Sequence, residues 1–236
     1  MKKLLFFSFF LFFSSLIYSQ SNTIDKIGKL KIYSSFSVLS EIGYNTEPIR
    51  IVNSSDYYKA TNKKYSGNNI YELIADTTLK NDLIYSSFCA KVYYIPTYAV
   101  TDELVLKGIT LKYINDSLYD IYVVEATDLA DAFSLKYGDP EIKVDEENKY
   151  YTNGLGMEIV KTDKVYTQSW KTNIPQIKCV RVLSVYHDSE GERNVIQFLN
   201  LYDTKINKRI GDCDKKRKEE IKKEIEKKKK SALDAL

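Results

Sequence analysis

The chain has 236 residues, a formal net charge of +3 at pH 7, three cysteines and one histidine. A zinc site needs several cysteine and histidine ligands at short spacings, so this composition argues against one. Positive charge is concentrated late in the chain, where residues 215–230 contain ten Lys or Arg against four Glu. Nucleic-acid binding needs a folded basic face with stacking aromatic rings. Because the basic run has no aromatic residue, no nucleic-acid partner is expected.

The first 19 residues predict export. Two lysines precede an apolar run over residues 4–13, which fades into small polar residues before Ser19. This order is typical of a secretory signal peptide, so we expect cleavage after Ser19 and a mature chain that begins at Gln20. The run is shorter than the about 20 residues of a membrane span, and no later stretch reaches that length. The segment resembles signals of Gram-negative bacteria, so the expected destination is the periplasm or the medium.

Short elements are expected at the start of the mature chain. Residues 29–33 alternate in polarity as a strand does. Apolar residues at helical spacing after Ser37 predict a short helix with that serine as its N-cap. Residues 45–69 are mostly polar and predict a loop that contains one strand.

The strand pattern becomes strong from residue 81. Apolar and polar residues alternate over residues 81–94 until Pro96, which lacks a backbone N–H and is expected to end the strand. Two further alternating segments, residues 109–113 and 119–123, flank the turn-forming residues 115–117. This pattern predicts an antiparallel β-hairpin.

A helix is expected over Thr127–Tyr137. Thr127 can cap the free amides of the first turn, and an apolar stripe repeats at helical spacing. Gly138 and then Pro140 are typical of a helix end.

Residues 141–153 are interpreted as a charged loop that closes at the dipeptide Asn153-Gly154 and at which two subdomains could meet. Beyond it, the first two predicted strands are separated by a turn at Thr162-Asp163. The strands predicted in this half of the chain cover residues 157–160, 165–170, 177–186 and 195–202. A charged helix from about Lys215 closes the chain.

These elements predict an α+β fold, in which hairpins build an antiparallel sheet and helices pack on one face. The expected organisation is a signal peptide over residues 1–19, one globular domain over residues 20–212 and a charged C-terminal helix over residues 213–236.

Cysteine usage leaves two alternatives. Cys89, Cys179 and Cys213 are an odd number for an exported chain, so at most one internal disulfide can form. One alternative is a disulfide between Cys179 and Cys213. The other is three reduced, mostly buried thiols.

No catalytic, cofactor-binding or metal-binding residue is assigned from the sequence. A serine or cysteine nucleophile would need His187 as its base, and the position of His187 at a strand end favours a solvated turn residue. Paired carboxylates are an open enzyme hypothesis, with Glu103, Glu125 and Glu158 as candidates.

Tyrosine is the distinctive residue type, because nineteen of the twenty tyrosines follow the signal peptide. The leading hypothesis is an exported, non-catalytic protein of the cell envelope that binds a protein or a glycan through a tyrosine-bearing sheet face. One alternative is an envelope hydrolase that uses paired carboxylates. Another is a structural envelope protein whose basic tail contacts anionic surfaces.

Overall fold

The structure is a computed structural model that describes residues 24–62, 68–80, 83, 85–152 and 154–233. The predicted signal peptide and Asn153 of the predicted turn lie outside the described residues. The fold is mixed α and β, with a large, mostly antiparallel sheet, few helices and a long C-terminal helix.

Two sheets and four helices make up the described part of the chain. The small sheet pairs β1 (Lys26–Ile27) with β2 (Leu30–Lys31). The large sheet contains β3 (Ile49–Ile51), β4 (Tyr71–Leu73), β5 (Lys91–Ala99), β6 (Val105–Ile114), β7 (Ser117–Val124), β8 (Glu141–Thr152), β9 (Glu158–Trp170), β10 (Ile177–His187) and β11 (Arg193–Asp203). The helices are α1 (Val38–Glu41), α2 (Ser54–Asn62), α3 (Thr127–Tyr137) and α4 (Thr204–Leu233).

The large sheet has the strand order β3-β4-β5-β6-β7-β11-β10-β9-β8. Adjacent strands in this sheet are antiparallel, except for β3 and β4, which are parallel to each other. The predicted hairpin is confirmed as β6 and β7, and its turn residues Asn115 and Asp116 have φ angles of 47° and 62°. Positive φ at both positions matches the right-handed twist of the flanking strands.

Two predictions between residues 45 and 99 are wrong. The expected loop over residues 45–69 contains α2 in addition to β3. Strand β5 begins at Lys91 and continues through Pro96. Proline is tolerated there because β4 pairs with β5 only at Tyr93 and Tyr94, so the outer side of β5 is an edge beyond them.

The expected charged loop over residues 141–153 is instead β8, the outermost strand. Its charges pair across the strands, since Lys164 Nζ lies 2.7 Å from Glu146 Oε1 and Lys149 Nζ lies 2.6 Å from Asp163 Oδ2. Charged residues are common on edge strands because they prevent further pairing. The turn expected at Thr162-Asp163 is also wrong, because β9 runs through it as one strand.

Helices cover both faces of the large sheet, so the prediction of helices on one face is wrong. The front face carries Ile109, Leu111 and Ile121, which pack with residues of α1 and α3 in the main core. The back face carries Tyr94, whose ring lies 5.5 Å from that of Tyr57 on α2. Helix α4 packs along β7 and β11. A central sheet with apolar side chains on both faces needs cover on both.

The C-terminal helix begins at Thr204, eleven residues before the predicted start. Ile210 and Ile221 are buried, with Ile221 only 7% exposed. The helix therefore packs against the rest of the protein as far as Ile221, which lies within its charged part. Residues 226–232 are exposed. None of the helices described here combines the length and the apolar character that crossing a membrane requires.

The disulfide joins Cys89 to Cys213, and Cys179 is a buried free thiol. Both alternatives drawn from the sequence, a disulfide between Cys179 and Cys213 and three reduced thiols, are therefore wrong. Cys179 lies on the front face in the main core, whereas the first half of α4 lies over the back face beside Lys112. Burial raises the pKa of the Cys179 thiol, which keeps it protonated and unreactive.

Four strands extend past the rest of the sheet, because β7 pairs with β11 only over residues 198–202. We call this extension the arm, and it comprises residues 144–152, 158–166, 183–187 and 193–197. Side chains on both of its faces are about half exposed, among them Val195 on the front and Ile196 on the back. The arm is therefore a single layer of sheet.

Candidate functional site

An open cavity of about 480 Å³ lies on the front face, where β5 begins and β6 ends. Its walls come from three parts of the chain that are far apart in sequence. We call it the aromatic pocket, and the side chains that define it are Phe36, Phe88, Tyr93, Tyr113, Lys91 and Asp116.

Three rings of the pocket contact one another. The Phe36 ring centre lies 4.4 Å from that of Tyr93 at an interplanar angle of 35°, and 5.6 Å from that of Tyr113 at 80°. The Tyr93 and Tyr113 rings are 5.7 Å apart at 74°. These tilted and edge-to-face arrangements are the favourable ones for aromatic pairs and hold each ring in place.

The strand register places the two tyrosines together. Lys91 is directly opposite Tyr113, and Tyr93 is opposite Leu111 on the same face. Side chains on one face of an antiparallel pair interact both directly and diagonally, so an alternating sequence on β5 and β6 builds this wall. Both tyrosines are buried, with Tyr113 only 2% exposed.

Phe36 is positioned by the turn of the β6–β7 hairpin. Its backbone N–H donates to Asp116 Oδ1 at 3.0 Å. The segment before it is hydrogen-bonded to β7, because Leu118 N–H donates to Ser34 O at 2.9 Å and Tyr33 N–H donates to Leu118 O at 2.6 Å. The ring is thus placed by backbone contacts, which tolerate little movement.

The third wall is the loop that contains Phe88. Asp214 of α4 accepts hydrogen bonds from the Ser87 hydroxyl, from Phe88 N–H at 2.8 Å and from Cys89 N–H at 3.0 Å. Hydrogen bonds to an ionised carboxylate are among the strong ones in proteins. Together with the disulfide between Cys89 and Cys213, they fasten this loop to the C-terminal helix.

The polar groups of the pocket are few and balanced. Lys91 and Asp116 are exposed and carry opposite charges. Burial, with Glu72 and Asp116 nearby, raises the pKa of Tyr93 to about 12, and burial also raises that of Tyr113. Both phenols are therefore protonated at neutral pH. The Tyr113 hydroxyl is buried and has no hydrogen-bond partner among the described residues.

A smaller cavity of about 220 Å³ lies under α4 on the back face. Its charged groups are already paired, because Lys112 Nζ lies 3.0 Å from Asp120 Oδ2 and Asp214 holds the Phe88 loop. Burial raises the pKa of Asp120, and the ammonium of Lys112 opposes that effect. These groups have structural partners, so the aromatic pocket is the better candidate site.

His187 is not the solvated turn residue that the sequence predicts. Its Nδ1 lies 2.8 Å from Asp163 Oδ1, its backbone N–H donates to the same oxygen at 2.8 Å, and its side chain is 13% exposed. The Lys149 ammonium and these hydrogen bonds lower the pKa of Asp163 to about 2. Cys179 is at the opposite end of β10, so the two cannot form a nucleophile and base pair.

The three glutamates of the hydrolase hypothesis are exposed and lie outside the aromatic pocket. Glu103 lies between β5 and β6, Glu125 follows β7, and Glu158 begins β9. Within the described ranges, no group of three or more His, Cys, Asp or Glu side chains could hold a metal ion.

Most tyrosines on the central strands are buried in the core. Those that are buried in the described strands are Tyr71, Tyr93, Tyr94, Tyr98, Tyr113 and Tyr119. Tyr150, on the arm, is 64% exposed.

Sequence reasoning missed Phe36 and Phe88 as site residues. The signal in the sequence is a repeated Tyr-Ser-Ser-Phe segment, which ends at Phe36 and again at Phe88.

Comparisons of the chain with models of known protein families, with curated proteins and with solved structures found no match.

Proposed function

We propose that the protein is an exported, non-catalytic binding protein of the bacterial cell envelope, and that its ligand is a glycan held by one sugar ring in the aromatic pocket. The observation that carries this proposal is an open cavity of about 480 Å³ with one charge of each sign, in which Phe36 and Phe88 are partly exposed and the buried rings of Tyr93 and Tyr113 support them. Ligand sites in this size range are mostly apolar with a few polar groups.

The chemistry of the pocket favours a sugar ring over a charged ligand. One face of a pyranose ring presents C–H groups that pack on aromatic rings, while its hydroxyls need hydrogen-bond partners at the rim. Lys91 and Asp116 provide a donor and an acceptor there, and their charges cancel. A strongly anionic or cationic ligand would leave one of them facing a like charge.

The rigidity of the walls also supports a binding role. The disulfide and the hydrogen bonds to Asp214 and Asp116 join the three chain segments before any ligand arrives. Preorganisation reduces the entropy that binding costs, so weak stacking contacts suffice for measurable affinity. The predicted signal peptide supports the envelope as the place where the ligand is met.

A direct titration tests the proposal. The purified protein is mixed with neutral oligosaccharides of hexose and of N-acetylhexosamine, and ring resonances of the pocket are followed by NMR. We expect saturable shifts of Tyr93 and Phe36 with one oligosaccharide class. Phe36→Leu should weaken binding about two- to tenfold, because an aromatic contact contributes about 0.5–1.5 kcal/mol.

The matched control is Tyr150→Ala, which removes an exposed ring far from the pocket and should leave the affinity unchanged. No shift with any oligosaccharide, or equal loss in both variants, would contradict the proposal. Shifts of the same rings with short peptides alone would assign the pocket to a protein ligand.

A further inference from the structure

The two sides of α4 differ in the residues they carry. Successive residues of an α-helix are rotated by about 100° around its axis, so the spacing of two residues shows whether they share a side. Ile210 and Ile221, which are buried, lie on the same side of α4. Asp214, which holds the Phe88 loop, lies on that side as well. We call this side the inner face.

The opposite side of α4 carries a long row of cations. We call it the outer face, and it is an arc of about 160° around the helix axis. Its ten exposed basic residues are Lys205, Lys208, Arg209, Lys215, Lys216, Lys222, Lys223, Lys227, Lys229 and Lys230. Three exposed carboxylates, those of Asp212, Glu219 and Glu226, lie in the same arc, so the net charge of the outer face is +7.

The cations of the outer face are not neutralised by the protein itself. Across the residues that the structure describes, none of the ten takes part in an ion pair. Arg217, by contrast, lies on the inner face and pairs with Glu220 at 2.8 Å. The side chains of residues 226–232 are all exposed, so the last part of α4 extends beyond the sheet.

The rest of the protein carries charge of the opposite sign. Outside α4 and the predicted signal peptide, the chain contains 20 Lys or Arg and 26 Asp or Glu. An anionic surface attracts the outer face of α4 and repels the acidic remainder. This charge distribution therefore selects an anionic partner and sets the orientation in which the protein approaches it.

The shape and composition of the outer face favour a flat partner. From Lys205 to Lys230 it extends for about 38 Å along one straight helix, so a planar array of anions can contact the whole row at once. Clusters of Lys and Arg on a helix surface bind anionic lipid headgroups in this way. Apart from Gly211, every residue of the outer face between these two lysines is charged. The contact is therefore electrostatic, without insertion of apolar side chains into the lipid.

We propose that the outer face of α4 binds the surface of a lipid bilayer that contains anionic headgroups. Helix α4 covers the back face of the large sheet, whereas the aromatic pocket opens on the front face. A protein bound through the outer face therefore presents the pocket away from the bilayer. The binding is reversible and sensitive to salt, because it depends on charges that remain exposed to water.

Flotation of the purified mature protein with lipid vesicles tests this inference. One set of vesicles is phosphatidylcholine alone, and the other contains about 30% phosphatidylglycerol. At about 0.05 M salt we expect the partition coefficient to be at least tenfold higher for the anionic vesicles. The difference should disappear at about 0.5 M salt, because screening then acts over a few ångströms.

Two double variants of α4 test which face makes the contact. Lys223→Gln with Lys227→Gln removes two charges from the outer face and should lower the partition coefficient about tenfold or more. Arg217→Gln with Lys228→Gln removes two charges from the inner face and should lower it less than about twofold. Both variants change the net charge equally. Glutamine has nearly the helix propensity of lysine and arginine, so circular dichroism should show the same helix content in both.

Three outcomes would overturn the inference: equal partition into neutral and anionic vesicles, equal losses in the two double variants, or binding to soluble alginate that exceeds binding to the vesicles. The last outcome would assign the outer face to an acidic polysaccharide. Phe36→Leu should bind the vesicles like the wild type, because Phe36 lies in the aromatic pocket. Failure of the sugar site and failure of membrane binding are therefore measured separately.

Discussion

Strands β10 and β11 run through both the arm and the rest of the large sheet, which we call the base. Side chains of these two strands have very different surroundings in the two regions. At the base, Leu199, Leu201 and Cys179 are buried beneath helices. Four residues before Leu199 on the same strand, Val195 is half exposed. Strand pairing and core formation therefore have different extents in this protein. Backbone hydrogen bonds continue along a strand as long as a neighbour is present, whereas burial needs a second layer.

The largest expected difference between the two regions is in core truncations. Ile121→Ala at the base should lower the free energy of unfolding by about 3 kcal/mol, because Ile121 is fully buried and its truncation leaves a cavity. Val195→Ala in the arm should cost less than about 1 kcal/mol, since the side chain is half exposed. Urea unfolding of both variants at low protein concentration measures this. Equal losses would mean that the arm has a core of its own.

Loss of the disulfide should speed local opening in the base and leave the arm unchanged. Replacing Cys89 and Cys213 with serine should lower the free energy of unfolding by about 2–4 kcal/mol, because the link closes a long loop in the unfolded chain. Amide exchange near Phe88 should become faster, while exchange in β8 and β9 stays as in the wild type. Faster exchange throughout the arm would show that the two regions unfold as one unit.

The smallest expected effect is at the tip of the arm. The pKa of Asp163 is lowered from 3.8 to about 2, chiefly by Lys149 and then by His187. A lowered pKa stabilises the fold above the unfolded value, and this contribution is lost as the pH falls from about 4 to about 2. The His187 backbone amide, which donates to this carboxylate, should therefore titrate in NMR spectra with a midpoint near pH 2. Asp163→Asn should lack the step, and a midpoint near pH 4 would contradict the contact.

Local signals predicted the elements that depend on neighbouring residues. The turn residues at 115 and 116 predicted the β6–β7 hairpin, and Gly138 with Pro140 predicted the end of α3. Strand β8 was missed because its charges resemble those of a loop until β9 lies beside it. Only then does Glu146 face Lys164 and Lys149 face Asp163. Pro96 led to a wrong strand end for the same reason. That β5 has an unpaired edge at Pro96 is visible only in the assembled sheet.

Periodicity and residue type were enough to predict the β6–β7 hairpin and the mixed α and β composition from the sequence. The candidate site depends on the tertiary structure. Phe36, Phe88 and Tyr113 meet there from three separate segments of the chain. The disulfide at its wall joins cysteines 124 residues apart. The choice of Cys213 as the partner of Cys89 depends on which face α4 covers. No local pattern records that choice, because a sheet with apolar residues on both faces accepts a helix on either.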